Sequence, residues 1–156
     1  MSSFDPNSFL DFATEEQSLK RPPLPEGEYT AIIGELAVRD WVSPRDPTKS
    51  GKAFDVQLTI DVPGDVQAEL GLTEPTIKTK DSIMLDLTPT GALDYSIGKN
   101  AKLRKYRDAT NNNIAGKTFS PRMLIGQVIT AKITHREYPE GSGDLFEQVA
   151  GVAAHG

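Results

Sequence analysis

The sequence predicts a mainly β protein: a small five-stranded barrel with one helix between strands three and four, preceded by an irregular N-terminal segment. Three observations point there. From Gly27 onward, apolar and polar residues alternate in runs, most cleanly where Phe54, Val56, Leu58, Ile60 and Val62 interleave with Asp55, Gln57, Thr59 and Asp61. Thirteen glycines and eleven prolines in 156 residues supply turns for short strands. Only one segment, 99–109, has the make-up of a solid helix, and it falls between the third and fourth runs.

The elements follow in order. Residues 1–25 mix isolated apolar side chains (Phe4, Phe9, Leu10, Phe12) with acids, and Asn7 or Ser8 can cap a short helix reaching about Ser18. Pro22, Pro23 and Pro25 then impose an extended linker, because each lacks an N–H and steers its predecessor away from helix. This segment is expected to be disordered or docked, and the folded domain to span 26–156. "GEYTAIIGELAVRDW" is a first strand partly buried on both faces, with Tyr29, Ala31 and Ile33 on one side and Ile32, Leu36 and Val38 near or on the other. Gly34 marks a bulge. "SPRDPTKSG" is a loop, and "AFDVQLTIDV" the second strand, wet on one face. A helical turn is expected around 67–70. "TIKTKDSIMLDLTP" is the third strand, strongest at Ile83, Leu85 and Leu87.

In the helix at 99–109, Leu103 and Tyr106 lie three apart and anchor one face. "SPRMLIG" opens a helical turn, with Ser120 as cap and Pro121 at the first position. "QVITAKITHREY" and "DLFEQVAGVA" are strands four and five around the turn "PEGSG". Ile129, Ala131 and Ile133 take the core face of strand four, and Lys132, Thr134 and Arg136 the opposite one. His135 follows core-side parity at the strand's end. Five strands with a helix between the third and fourth is the order of an OB-fold.

Composition limits function. With 37% hydrophobic and 25% charged residues, the chain suits one water-facing domain. It has no cysteine, which excludes disulfides and thiolate metal sites and fits a reducing compartment. No signal-like or membrane-spanning apolar run is present, so no membrane partner is expected. His135 and His155 are the only histidines, carboxylates are scattered, and no nucleophile stands beside a base. "AGKTF" resembles the end of a phosphate-binding loop but has Asn111 where the motif needs glycine. No catalytic residue, metal site or cofactor is therefore expected, and the protein reads as non-enzymatic.

Charge is more informative than its sum of −5. Residues 1–28 hold six acids and two bases. Residues 99–136 hold nine bases and one acid, Asp108. Fields act over a Debye length of about 8–10 Å, so this local excess outweighs the total. The bases Lys99, Lys102, Arg104, Lys105 and Arg107 on the helix continue through Lys117 and Arg122 to Lys132 and Arg136 on the fourth strand. Aromatics are interleaved: Trp41, Tyr106, Tyr138 and Phe146. The loop after strand one adds Arg45, Lys49 and Lys52 beside Trp41, which can alternatively cap the core. Cations for phosphates and rings for bases, on a barrel that presents strand faces and long hairpins, suit a sequence-tolerant binder of single strands. Hence Trp41, Arg45, Lys49, Lys52, Lys99, Lys102, Arg104, Lys105, Tyr106, Arg107, Lys117, Arg122, Lys132, Arg136 and Tyr138 are the candidate nucleic-acid contacts. The alternative is a structural or assembly module of a virion, an oligomerising barrel.

"LPEGEYTAII", a Ser-Gly turn with an alternating strand, "KNAKLRKYRDA" and "LIGQVITAKITHREYPE" followed by a returning strand together resemble phage-encoded OB-fold single-stranded-DNA-binding proteins, and a family of small phage replication-module proteins. The resemblance spans about residues 24–153. It implies coating of single-stranded DNA in phage replication or recombination, often as an oligomer, in the cytoplasm of an infected bacterial host. Such proteins commonly end in an acidic tail that recruits partners. This chain has no acid after Glu147, so contacts to replication or recombination proteins would fall to residues 1–28.

Overall fold

A computed structural model describes residues 5–17 and 21–155. The first helix, expected to be capped at Asn7 or Ser8 and to reach about Ser18, is instead capped by the Asp5 side chain and ends at Leu10, with residues 12–17 non-helical. Phe4 and Ser18 themselves lie outside the described residues. Nine short elements follow one another: α1 (Pro6–Leu10), β1 (Gly27–Val42), β2 (Ser50–Asp61), α2 (Gly64–Leu70), β3 (Thr76–Met84), α3 (Ala101–Ala109), a 3-10 turn (Pro121–Leu124), β4 (Val128–Glu137) and β5 (Leu145–Ala154), counted among the described residues. The five strands form one antiparallel sheet in the order β3-β2-β1-β4-β5. This is the OB-like arrangement, with its helix between strands three and four. The sheet does not close: β3 and β5 are its unpaired margins, and α3 packs against both.

Alternation places the core as the sequence implies. Tyr29, Ala31 and Ile33 of β1, Phe54, Val56, Leu58 and Ile60 of β2, Ile83 of β3 and Ile129, Ala131 and Ile133 of β4 all face inward and are buried. Each large aliphatic chain hidden in this way contributes about 1.5–3 kcal/mol. α3 adds Leu103, Tyr106 and Ala109, the face set by its three-residue spacing. The bulge falls where Gly34 predicts it. Pairing slips by one residue between Ile33 and Leu36, and a Cβ at Gly34 would sit 3.3 Å from the Gln57 carbonyl oxygen. Beyond the bulge, β1 is not buried on both faces. It runs out with β2 as a ribbon on which Ala37, Val38, Arg39 and Asp40 are exposed.

Two boundaries differ from expectation, for traceable reasons. Leu24, assigned by composition to the linker, is fully buried in the core. The strap around it is tied down: Tyr29 Oη donates to the Pro25 carbonyl at 2.6 Å, His135 Nε2 lies 2.6 Å from the Leu24 carbonyl, and the His135 amide donates to Glu26 at 3.0 Å. Of the two expected states, disordered or docked, residues 24–26 take the docked one. At the other end, β3 stops at Met84 instead of running on through Leu87. The cause is Asn100, whose side-chain oxygen accepts from the Asp86 amide and whose amide group donates to the Asp86 and Asp94 carbonyls. These bonds turn the chain away from the sheet, and Leu87 pairs only with Leu93.

Candidate nucleic-acid interface

Thirteen of the fifteen candidate residues fall into four neighbourhoods; Lys117 and Arg122 lie apart from them. In the first, the head of α3, Lys99, Arg104 and Arg107 line one cleft of about 290 Å³ together with Tyr95, Ile97 and Asn113. Arg107 is held in place there: its Nε donates to the Asn112 carbonyl at 3.1 Å, and its guanidinium carbon stands 4.3 Å from the Phe119 ring centre and 5.4 Å from that of Tyr95.

The second neighbourhood is the seam where α3 meets β3 and β5. Here two sequence-based assignments are corrected. Tyr106 is not a stacking platform. It is 1% exposed, and its hydroxyl donates to Asp81 at 2.6 Å. Burial first, and then the charge of Asp81, push its phenol far above the usual range, so it stays protonated and donating. Lys102 is not a free cation either: its Nζ donates to Asp81 at 2.7 Å and to the Ser82 carbonyl at 2.7 Å. Asp81 lies on the core-facing parity of β3, and a buried carboxylate there requires both partners. Lys105 lines the same seam beside Gly151 and Val152, and remains exposed.

The third is the β1–β2 ribbon. Arg45 and Lys49 stand exposed in its loop, while Lys52 is ion-paired with Asp40. Trp41 does not cap the core. Its indole lies against Gly51, where a Cβ would come within 2.9 Å of the ring, and its Nε1 donates to the Lys52 carbonyl at 3.2 Å. Only glycine opposite leaves room for this flat packing. Register places Trp41 and Arg39 on the outer face with Asp55, and continues it through Lys80 and Lys78 of β3. Arg39 donates to Asp55 at 3.0 Å, which holds that carboxyl below its usual range, with Ser82 assisting.

The fourth is the β4–β5 hairpin. Arg136 sits opposite Phe146, and its guanidinium carbon lies 5.8 Å from the Tyr138 ring centre. With Glu147 and Gln148 these three line a shallow groove of about 360 Å³. Glu147 is ion-paired with Arg21, which offsets much of its charge at the groove's edge. Gln148 donates to Thr134 at 3.2 Å, which braces the hairpin's outer face. Lys132 continues that face, exposed and directly across from Glu28. Lys117 lies apart in an exposed turn, and Arg122 edges an apolar hollow formed by Leu36, Val38, Phe54 and Ile125.

Sequence reasoning passed over Tyr95, Arg39, Lys78 and Lys80. The last two were legible, since they alternate with buried Ile77 and Ile83 and must face outward. Tyr95 sits in an irregular loop with no periodicity to flag it. No protein-family model matches the chain, and a search of curated proteins finds no similar sequence. Among the described residues no helix is long and apolar enough to cross a membrane, and no cluster of His, Asp and Glu is arranged to hold a metal ion.

Proposed function

We propose that this protein binds single-stranded DNA without strong sequence preference, through the outer faces of its two long hairpins, and serves phage DNA replication or recombination in the cytoplasm of an infected bacterium. The observation that carries the reading is the β4–β5 groove. There a cation, Arg136, lies beside the 63%-exposed Tyr138, with Phe146 on the facing strand. Cations attract phosphates in any sequence, and rings stack on any base. Lys132 extends the cationic line along β4, and the OB-like sheet, with α3 packed on its open margins, holds both strands beneath the site. The acidic first segment, with exposed Leu10 and Phe12, supplies a surface for partner proteins.

Fluorescence anisotropy with labelled poly-dT, repeated over a range of salt, tests the reading. The logarithm of affinity is expected to fall linearly with the logarithm of salt, by roughly 0.7 per phosphate neutralised. Tyr138→Ala is expected to cost about 1–3 kcal/mol, as loss of one stacked base does. Absence of binding at low salt refutes it. The virion-assembly reading draws on exposed Val38 and Val42 of the β1–β2 ribbon. It requires oligomers that form without DNA, which light scattering detects.

A further inference from the structure

We infer that the cleft at the head of α3 is a separate binding site for a nucleoside phosphate, with the phosphate among Lys99, Arg104 and Arg107 and the base against Tyr95. The inference goes beyond strand binding at the β4–β5 groove: it concerns different elements and stands whether or not that groove holds DNA.

Charge is the first support. Among the described residues, most bases have no carboxylate within ion-pair distance, Lys99, Arg104 and Arg107 included. What sets these three apart is that they converge on one concavity of about 290 Å³. A concave wall of one sign focuses its field and raises the local concentration of an anion. The acids nearby are already engaged. Asp94 accepts from the Ser96 hydroxyl and from its amide at 2.9 Å, bonds that lower its pKa, and the charge of Lys99 lowers it further. Asp86 accepts from the Asn100 amide, and Asp108 from the Asn113 side chain. They weaken the field without pairing the cations.

Rigidity is the second. Arg107 is stacked on Phe119 and anchored to the Asn112 carbonyl, so its fork loses little freedom on meeting a phosphate. The loop bearing Tyr95 and Lys99 is fixed by the three side-chain bonds of Asn100. The rim is the third. Tyr95 is 59% exposed and Ile97 fully so, an apolar and aromatic lip beside the charges. A bare anion has no use for such a lip, whereas a base stacks on it. The small volume, at the lower limit for ligand pockets, suits one nucleotide.

The ligand can be a free nucleotide or one unit of a strand, and amide chemical shifts of the full chain separate the two. Titration with dTMP is expected to move the amides of residues 95–107, and thymidine or inorganic phosphate alone to move them less. The Lys99→Gln/Arg104→Gln double variant alters two exposed side chains, and is expected to weaken dTMP at least about tenfold, as loss of charge-assisted bonds does. Glu69→Gln, at an exposed residue of α2 outside every candidate site, leaves dTMP binding intact. If oligo-dT displaces dTMP, the site takes a unit of a strand; if dTMP still binds beside bound oligo-dT, it takes the free nucleotide. Should oligo-dT fail to bind while dTMP does, the strand-binding function falls and the site remains. The inference is overturned if millimolar dTMP leaves these amides unmoved, or moves them equally in the double variant.

Discussion

Replacing Asn100 separates two contributions that one residue makes to the loop before α3. Asn100 is 5% exposed and adopts a left-handed conformation, φ 51° and ψ 44°. Its side chain accepts from the Asp86 amide at 2.7 Å and donates to the Asp86 and Asp94 carbonyls at 2.9 Å each. Asn100→Gly keeps the backbone geometry at ease but deletes those three bonds. At about 1 kcal/mol each, the loss is about 2–3 kcal/mol. Asn100→Ala deletes the same bonds and also forces a Cβ into the left-handed region, adding roughly 1–2 kcal/mol. For a chain of this size each kcal/mol lowers Tm by about 2–4 °C. Melts followed by circular dichroism are therefore expected to rank wild type, then Gly, then Ala, with Gly about 4–12 °C below wild type. Urea titrations give the same differences as free energies. A glycine variant within about 0.5 kcal/mol of wild type would show that the three bonds contribute little net stability. An alanine variant as stable as the glycine one would show that the left-handed geometry is not required.

Two further outcomes test the core. Tyr106 has its phenol raised above the ordinary value of 10.0, by burial first and by Asp81 second. In the unfolded chain it ionises near that value while the native form keeps its proton, so its contribution is complete below about pH 10 and is lost as pH rises further. Alkaline unfolding should accordingly steepen above this point, by up to about 1.4 kcal/mol per pH unit, and Tyr106→Phe should flatten that limb while costing about 1–3 kcal/mol at neutral pH because Asp81 loses a donor. Leu24→Ala removes a fully buried side chain and should destabilise by about 2–5 kcal/mol in the same melts. An effect near zero would mean that the strap before β1 is not part of the folding unit.

The strands were legible because they obey simple periodicity. Phe54 to Ile60 alternate with polar residues, and any sheet that buries one set must expose the other. Gly34 at the bulge and Leu103 with Tyr106 on the helix were readable for similar local reasons. The site was less legible. Nine bases between residues 99 and 136 are visible as an excess, but whether each is free depends on an acid distant in sequence. Lys102 is tied to Asp81, and Lys52 to Asp40 across a hairpin. Arg107 stacks on Phe119, beyond the end of its own helix.

The sequence by itself determined the mainly β class, the number of strands, the helix between strands three and four and the inward faces, because these follow from local pattern and turn chemistry. The spatial order β3-β2-β1-β4-β5 and the open sheet, where a closed barrel was expected, do not. Only the tertiary structure decided that Tyr106 belongs to the core, that Leu24 belongs to the domain, and that Lys99, Arg104 and Arg107 meet Tyr95 in one cleft. Periodicity assigns a side chain to a face, but not the residue it meets there. That depends on how β3, α3 and β5 come together at the margin the sheet leaves open.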